Sequence, residues 1–415
     1  MPASINRNQL FVASCTSLLV TSLSFGIRAG LLSTWKDQYG LTQEQVGIIT
    51  STAFWGFPVA IVVGGLIVDI IGMKKLLVGA FVLHLLGIIL TITASGFWPL
   101  FISTLLIGMG NGTVEAACNP LVASLFTDNK TTKLNHFHLW FPGGIVIGSL
   151  IVKFFGQVTP AGDLTNWTWL VAVMLLPTLI YGYLFLRLKF PVTERVSSGV
   201  SSVQMYKSLL KPLFLVMIVL MLGTAITELF TGQWIDVLLK NVTDNALLLL
   251  TIETGIMVIG RAFAGPIVHR LSPTGVLLTS AILASAGLYL LGHTSGNALF
   301  AGAIIFGMGV CYFWPTMLGF VSENLPQTGA VGLNFMGGAG MFAVSIYLIF
   351  MGGYYDKLSA GKSPAAAGQD IINVTLMIPL VLIVAFVVLF FYMRSKPKPQ
   401  MLQTAQPLAT AYDDL

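Results

Sequence analysis

Long apolar runs recur along the chain, each closed by a short polar break before the next begins. They lie at 10–35, 46–71, 76–95, 99–126, 133–156, 168–188, 212–239, 247–271, 274–292, 298–325, 329–353 and 371–393. A helix of roughly 20 residues crosses a ~30 Å hydrocarbon core, and each run is long enough to do so. The pattern predicts an all-α membrane protein with twelve transmembrane helices. The one substantial polar connection, "KFPVTERVSSGVSSVQMYKSLLK" at 189–211, falls between the sixth and seventh runs. The expected organisation is a six-helix bundle over 1–188, a cytoplasmic linker over 189–211, a second six-helix bundle over 212–398 and a disordered cytoplasmic tail over 399–415.

The two halves share an internal pattern. The fourth run reads "GMGNGTVEAACNPLVASLFTD" and the tenth "GMGVCYFWPTMLGFVSE". In both, Gly-Met-Gly (108–110, 307–309) precedes a proline, and an acid follows that proline by eight positions, Pro120 to Asp128 and Pro315 to Glu323. A glycine pair comes 14 or 15 residues later, Gly143-Gly144 and Gly337-Gly338. An ordered set of matches points to duplication. Two pseudo-symmetric six-helix bundles around a midplane site is the layout of alternating-access carriers.

Composition agrees with the hydropathy pattern. With 55% of residues hydrophobic and 9% charged, against roughly 25% charged in a usual soluble domain, an ordinary water-soluble protein is excluded. If both termini are cytoplasmic, fourteen Lys and Arg lie on the inner side and five on the outer, with Arg28 and Arg261 inside helices. That asymmetry predicts a multi-pass protein of the plasma membrane, the inner membrane if the source is bacterial. The net charge of +5 then reflects anchoring beside anionic lipid, with no nucleic-acid partner. The polar start "MPASINRNQ" runs straight into a long apolar helix, as a retained first span does.

Enzyme chemistry finds no support. Cys15, Cys118 and Cys311 have no metal-type spacing, and His84, His136, His138, His269 and His293 form no ligand motif. No nucleophile triad or phosphate-cradling loop emerges, so neither an enzyme nor a cofactor or metal is expected. A receptor is disfavoured by short outer loops. The expected partners are a small-molecule substrate, a proton and the lipid bilayer, for a carrier that functions as a monomer.

The stretch "GGLIVDIIGMKK" (64–75) resembles the Gly-x-x-x-Asp-x-x-Gly-x-Arg/Lys-Arg/Lys loop of the major facilitator superfamily. The resemblance implies that Asp69, Lys74 and Lys75 make charge contacts that hold one gate closed. The corresponding "AGPIVHRLSPTG" (264–275) keeps Gly265 but has His269 in place of the acid, which implies a weaker second latch.

Within the fourth helix, Asn111, Glu115 and Asn119 recur every four residues and share a face. A charge near mid-bilayer costs several kcal/mol by most estimates, so Glu115 should meet a water-filled cavity, a partner or a proton. It is a candidate proton carrier or substrate ligand; the alternative is a protonated structural carboxyl. "VEAACNP" is similar to the Glu-x-x-x-Asn-Pro of the fucose, galactose and glucose permeases, and "LNHFHLWFPGG" (134–144) resembles that branch's Leu-Asn-x-x-His-x-x-Phe segment. The resemblance implies that Glu115 takes part in proton-coupled sugar transport, with His138 and Phe141 as packing or hinge residues. The chain departs from that branch in the first helix, where "SLSFGIRAGLLSTW" offers Arg28 and no acid. "SFGIR" instead resembles organic-anion carriers, which implies that Arg28 meets a substrate carboxylate while a helix 4 acid carries the proton. A guanidinium fork also suits sugar hydroxyls, or neutralises Glu115 or Glu228.

In "GTAITELFTGQWID" of the seventh helix, Thr224, Thr227, Glu228, Thr231 and Trp234 follow helical spacing, with Gln233 beside them. Such a face suits a polyol, because acids and amides pair with hydroxyls and an indole covers a pyranose's apolar side. The alternative is polar glue between helices. Trp140, Tyr312, Trp314 and Asn334 are further binding candidates. Arg261, among small residues, is expected in a structural or gating ion pair, and Glu253 in an open vestibule or as a ligand. The leading expectation is a monosaccharide:proton symporter in which Glu115 titrates and Arg28 tunes it. The runner-up is symport of an organic anion such as a sugar acid, with Arg28 as counter-charge.

Overall fold

The computed structural model describes residues 5–157, 165–231 and 246–395. The membrane helices are α1 (Arg7–Ala29), α2 (Gln43–Ile71), α3 (Met73–Ile92), α4 (Phe97–Leu125), α5 (Lys130–His138 and Trp140–Phe155) and α6 (Trp167–Ala172 and Leu175–Arg187) in the first half. The second half holds α7 (Pro212–Ala225, then a π turn Ile226–Phe230), α8 (Ala246–Ala262), α9 (Ala264–His293), α10 (Ala298–Val310 and Phe313–Asn324), α11 (Gly329–Ser359) and α12 (Pro364–Arg394). Eleven helices have the length and hydropathy to cross a membrane, and α8 supplies 17 described residues of the remaining predicted span. No strand occurs among the described residues. The chain is a multi-pass, all-α membrane protein.

Local chemistry sets the helix ends. Asn6 accepts from the Gln9 N–H to cap α1, Thr42 and Gln45 form a reciprocal capping box on α2, and Ser363 caps α12 with Pro364 in its first turn. Two predicted boundaries move. The first span, expected to run to residue 35, breaks at Gly30 and restarts as the short helix Leu32–Tyr39. Between the eighth and ninth, the helix breaks at Phe263, and Ser272, with φ 62°, kinks α9 just before Pro273. Proline lacks an N–H and crowds the preceding turn, so the kink falls there.

The repeated Gly-Met-Gly motifs have equivalent jobs. Gly108 lies against Ala53 of α2 and Gly110 against His84 of α3; Gly307 lies against Glu253 of α8 and Gly309 against Ala284 of α9. Each motif thus lets one helix pack closely on the second and third helices of its own bundle. The two bundles meet along α2 with α11, where Gly65 sits on Asn334 and Gly338 on Val62, and along α5 with α8 and α10.

A side chain at Gly112 would run into the Phe57 carbonyl, whereas nothing lies within 4 Å of a Cβ at Gly79. Overpacking costs ~1–3 kcal/mol. Gly112→Val should therefore lower the melting temperature of the detergent-purified protein by several degrees, and Gly79→Ala should leave it unchanged or slightly raised.

Candidate functional site

The buried polar groups at mid-bundle form one connected chain across both halves. Asn119 Nδ2 donates to Glu115 Oε2 at 2.6 Å, Asn119 Oδ1 accepts from His138 Nε2 at 3.0 Å, and His138 Nδ1 stands 3.7 Å from Glu115 Oε1. Glu115, Asn119 and His138 are each 2% exposed. From the second half, Arg261 Nη1 donates to the His138 carbonyl at 2.9 Å, Nε to the Cys311 carbonyl at 2.7 Å and Nη2 to Glu228 Oε1 at 2.7 Å. Glu228 Oε2 accepts from the Trp314 backbone N–H at 3.2 Å. Every guanidinium nitrogen is thereby engaged, as a charge 1% exposed requires.

The sequence makes those carbonyls available. In a regular helix the His138 carbonyl would accept from residue 142, and that of Cys311 from residue 315; both are prolines. Arg261 takes up the two acceptors that proline leaves behind. The same rule operates at Pro120, whose missing N–H frees the Ala116 carbonyl, and Asn334 Nδ2 of α11 donates to it at 2.9 Å. Two of these three bonds join one bundle to the other.

Glu115 and His138 face one another across 3.7 Å, a carboxyl and an imidazole placed so that they can share a proton. With Asn119 Oδ1 facing Nε2, that nitrogen must carry a hydrogen. A further proton on Nδ1 would face a carboxylate, and one on Glu115 would face a neutral ring.

The structure divides the sequence-predicted residues. Asn119 joins Glu115, but Asn111 turns into the first bundle, where Nδ2 donates to Ser24 Oγ and Oδ1 pairs with His84 Nε2 at 2.9 Å. His84 in turn meets the Tyr181 hydroxyl at 2.8 Å. The three four-spaced polar residues of α4 therefore do not act on one neighbour. Arg28 lies beside Thr104 and Ile107 of α4, about 12–16 Å along the helix from Glu115 at 1.5 Å per residue. It reaches neither Glu115 nor Glu228, so the expected pairing with either acid is corrected: Arg261 is the cation at this site.

On α7 the expected continuous α-helical stripe is interrupted by the π turn at Ile226–Phe230, a rare form that re-aims side chains and recurs at functional sites. It places Glu228 on Arg261. Thr227 bonds back to the Gly223 carbonyl and Thr224 to that of Met221, while Thr231 Oγ1 is buried without a partner. Gln233 and Trp234 lie outside the described residues. Trp314 lies against Gly337 and Gly340 of α11, and Trp140 is half-buried, its carbonyl accepting from Ser22. Glu253 is 2% exposed with Oε2 unpartnered, which places it in the interior instead of an open vestibule.

The linker face is latched. Arg195 Nε donates to Asp69 Oδ2 at 2.6 Å, Thr193 donates to Oδ1, and the Arg195 stem packs on Gly329 at the start of α11. Lys130 Nζ pairs with Glu194 at 2.7 Å and donates to the Ser322 carbonyl at 3.1 Å. Glu323 accepts from the backbone N–H of Thr131 at 2.9 Å and from its hydroxyl at 2.6 Å, a carboxylate at the amino end of α5. Asp69 thus pairs with the linker. Among the described residues Lys74 and Lys75 pair with no acid. Sequence reasoning missed Lys130, Glu194 and Arg195 because their partners are distant in the chain; Glu323 was visible only as half of a repeat.

The family model described as Major Facilitator Superfamily matches residues 14–346. Over 140 residues the chain is 34% identical to D-xylose-proton symporter-like 1 of Arabidopsis thaliana, covering 32% of this chain and 27% of that protein. Over 177 residues it is 27% identical to myo-inositol transporter 1 of Saccharomyces cerevisiae, covering 41% and 29%. The matched stretch thus spans about a third of the length of these curated relatives or less. The crystal structure of the E. coli fucose:proton symporter superposes with a TM-score of 0.69 at 17% identity, covering 90% of this chain and 98% of that one, a likeness of fold.

Removing one partner of a buried ion pair costs ~3–5 kcal/mol, whereas replacing both by apolar groups costs far less. Arg261→Met should lower the melting temperature sharply, and the double variant Arg261→Met with Glu228→Met should recover most of the loss; an equally unstable double variant would count against the pairing. On the linker face, Asp69→Asn combined with Glu323→Gln should add a longer component to the distance distribution between spin labels at Asp128 and Ser395. An unchanged distribution would remove these contacts from control of the gate.

Proposed function

The chain belongs to the Major Facilitator Superfamily, and from that premise we propose that it is a proton-coupled carrier of a small neutral polyol, a monosaccharide in the first instance, working by alternating access. The observation that carries the proposal is the buried Glu115 carboxyl facing the His138 ring across 3.7 Å, inside a network that also ties the two bundles together. A carrier couples two fluxes when the charge state of one group changes the stability of one closed state. Here protonation alters the same polar cluster whose other members bridge α5 and α8.

In this reading Glu115 is the titrating group, His138 its proton partner, and Arg261 with Glu228 the fixed charge pair that sets the field around it. Asn119, Glu228, Thr231, Trp140, Trp314 and Asn334 are the described candidates for contact with hydroxyls, joined by Gln233 and Trp234 from the sequence. Two names among the curated relatives, a xylose symporter-like protein and an inositol transporter, agree with a polyhydroxylated substrate. The positive-inside rule makes the linker face cytoplasmic, with both termini on that side of the plasma membrane. The latched state then faces outward, ready to take solute, and a monomer suffices for the cycle.

The organic-anion reading loses support from the position of Arg28. The space beside it measures about 20 Å³, enough for one water-sized occupant and far too little for a sugar acid.

Reconstituted protein should alkalinise the outside of proteoliposomes when the right neutral sugar is added. Glu115→Gln should keep solute exchange and lose uphill accumulation. Unchanged accumulation would take Glu115 out of the coupling step, and uptake of a uronic acid in preference to its neutral sugar would sink the substrate assignment.

A further inference from the structure

Arginine carries a permanent charge and five N–H donors with no acceptor, so a buried one calls for fixed negative partners. Arg261 has them. Arg28, 7% exposed, does not: among the described residues no carboxylate pairs with it, and its guanidinium rests 5.0 Å from the Phe25 ring. Its place in the last turn of α1 gives it the carbonyl end of a helix dipole, a partial compensation only.

A second donor without a partner belongs to a residue of the same neighbourhood. The Trp35 indole Nε1–H is buried and unpaired, on a residue 2% exposed. Arg28 and Trp35 both line one cavity of about 20 Å³ bordered by α1, α3, α4, α6 and the short helix Leu32–Tyr39. All the described residues that line it are buried, and none is acidic. The hydroxyl hydrogens of Thr91 and Thr104, also in the wall, already go to the carbonyls of Gly87 and Leu100. Leu31 stands at the amino end of the short helix, which has no side-chain cap, and it too lines the cavity.

A permanent cation, a residue with an unpaired indole N–H and an uncapped helix start all border one small volume. What satisfies all three is an acceptor with negative charge and no hydrogens of its own. We propose that this cavity is a binding site for one small monovalent inorganic anion of halide size. The anion neutralises Arg28, ties the break at Gly30 to the body of the first bundle, and sits well away from the Glu115–His138 pair. The site is a structural and regulatory one, distinct from the polyol route. Stability, and with it carrier turnover, then depends on halide and not on ionic strength alone.

The test uses purified full-length protein in detergent, with sodium chloride, sodium bromide or sodium gluconate at equal ionic strength. Chloride and bromide should raise the melting temperature over gluconate by ~3–5 °C, in a saturable way, as a ligand of the native state does. Trp35→Phe keeps a ring and removes the indole N–H, and should raise the half-saturating halide concentration about tenfold, the order expected for losing one hydrogen bond to a charged group. Arg28→Gln should abolish the halide effect. Identical melting in all three salts, or a halide effect that survives in Arg28→Gln, overturns the proposal. Bromide anomalous scattering from crystals of the wild type gives an independent decision where Arg28→Gln does not fold: a peak between Arg28 and Trp35 supports the site, and water alone there overturns it.

Discussion

A guanidinium buried in hydrocarbon must find several fixed acceptors, and the way Arg261 finds them shapes the centre of this molecule. Helices normally consume their own carbonyls, which leaves nothing for a buried donor to bond. This chain releases two of them by placing proline four residues downstream, Pro142 after His138 and Pro315 after Cys311, and directs both at one arginine. The π turn in α7 then aims the Glu228 carboxylate at the same group. Helix defects that would each weaken a membrane span are jointly offset by one side chain.

The arrangement makes the centre a switch as well as a core. The bond from Arg261 to the His138 carbonyl and that from Asn334 to the Ala116 carbonyl cross between bundles, so both must be lost or re-made when the bundles rock. Each lost bond leaves a carbonyl that proline has deprived of its usual partner. Such a penalty makes intermediate positions unfavourable and favours two discrete states. The latch on the linker face adds a second layer of contacts, made by the connecting segment itself through Glu194 and Arg195. The linker thus contacts both halves as well as joining them.

Much of the architecture was legible because hydrophobic period and length alone define spanning helices. The repeat was legible because close packing demands glycine at equivalent places, and Gly108, Gly110, Gly307 and Gly309 serve equivalent contacts. The site was read less completely. Helical periodicity put Asn111 with Glu115 and Asn119, yet a four-residue repeat drifts around an α-helix, so over eight residues Asn111 reaches α3 instead of α5. Arg28 was expected to meet a substrate carboxylate and tune Glu115, with neutralising Glu115 or Glu228 as the alternative, but sequence gives no distance between α1 and α4 positions. The legible signal that went unused was proline: Pro120, Pro142 and Pro315 each identify, by subtraction, a carbonyl that needs a donor.

Under the proposed mechanism, the contrast between the two intramembrane arginines is what would leave Glu115 able to exchange a proton. Were a guanidinium bonded directly to it, as Arg261 is to Glu228, the ion pair would oppose protonation of the carboxylate. Were no cation near, the acid would stay neutral. Arg261 instead spends its hydrogen bonds on Glu228 and two carbonyls, and touches the Glu115 cluster only through the backbone of His138. Its charge reaches Glu115 as a field without a bond. In the proposed cycle that intermediate coupling would let Glu115 and the His138 ring share a proton, and motion of α8 against α5 would change the field acting on it.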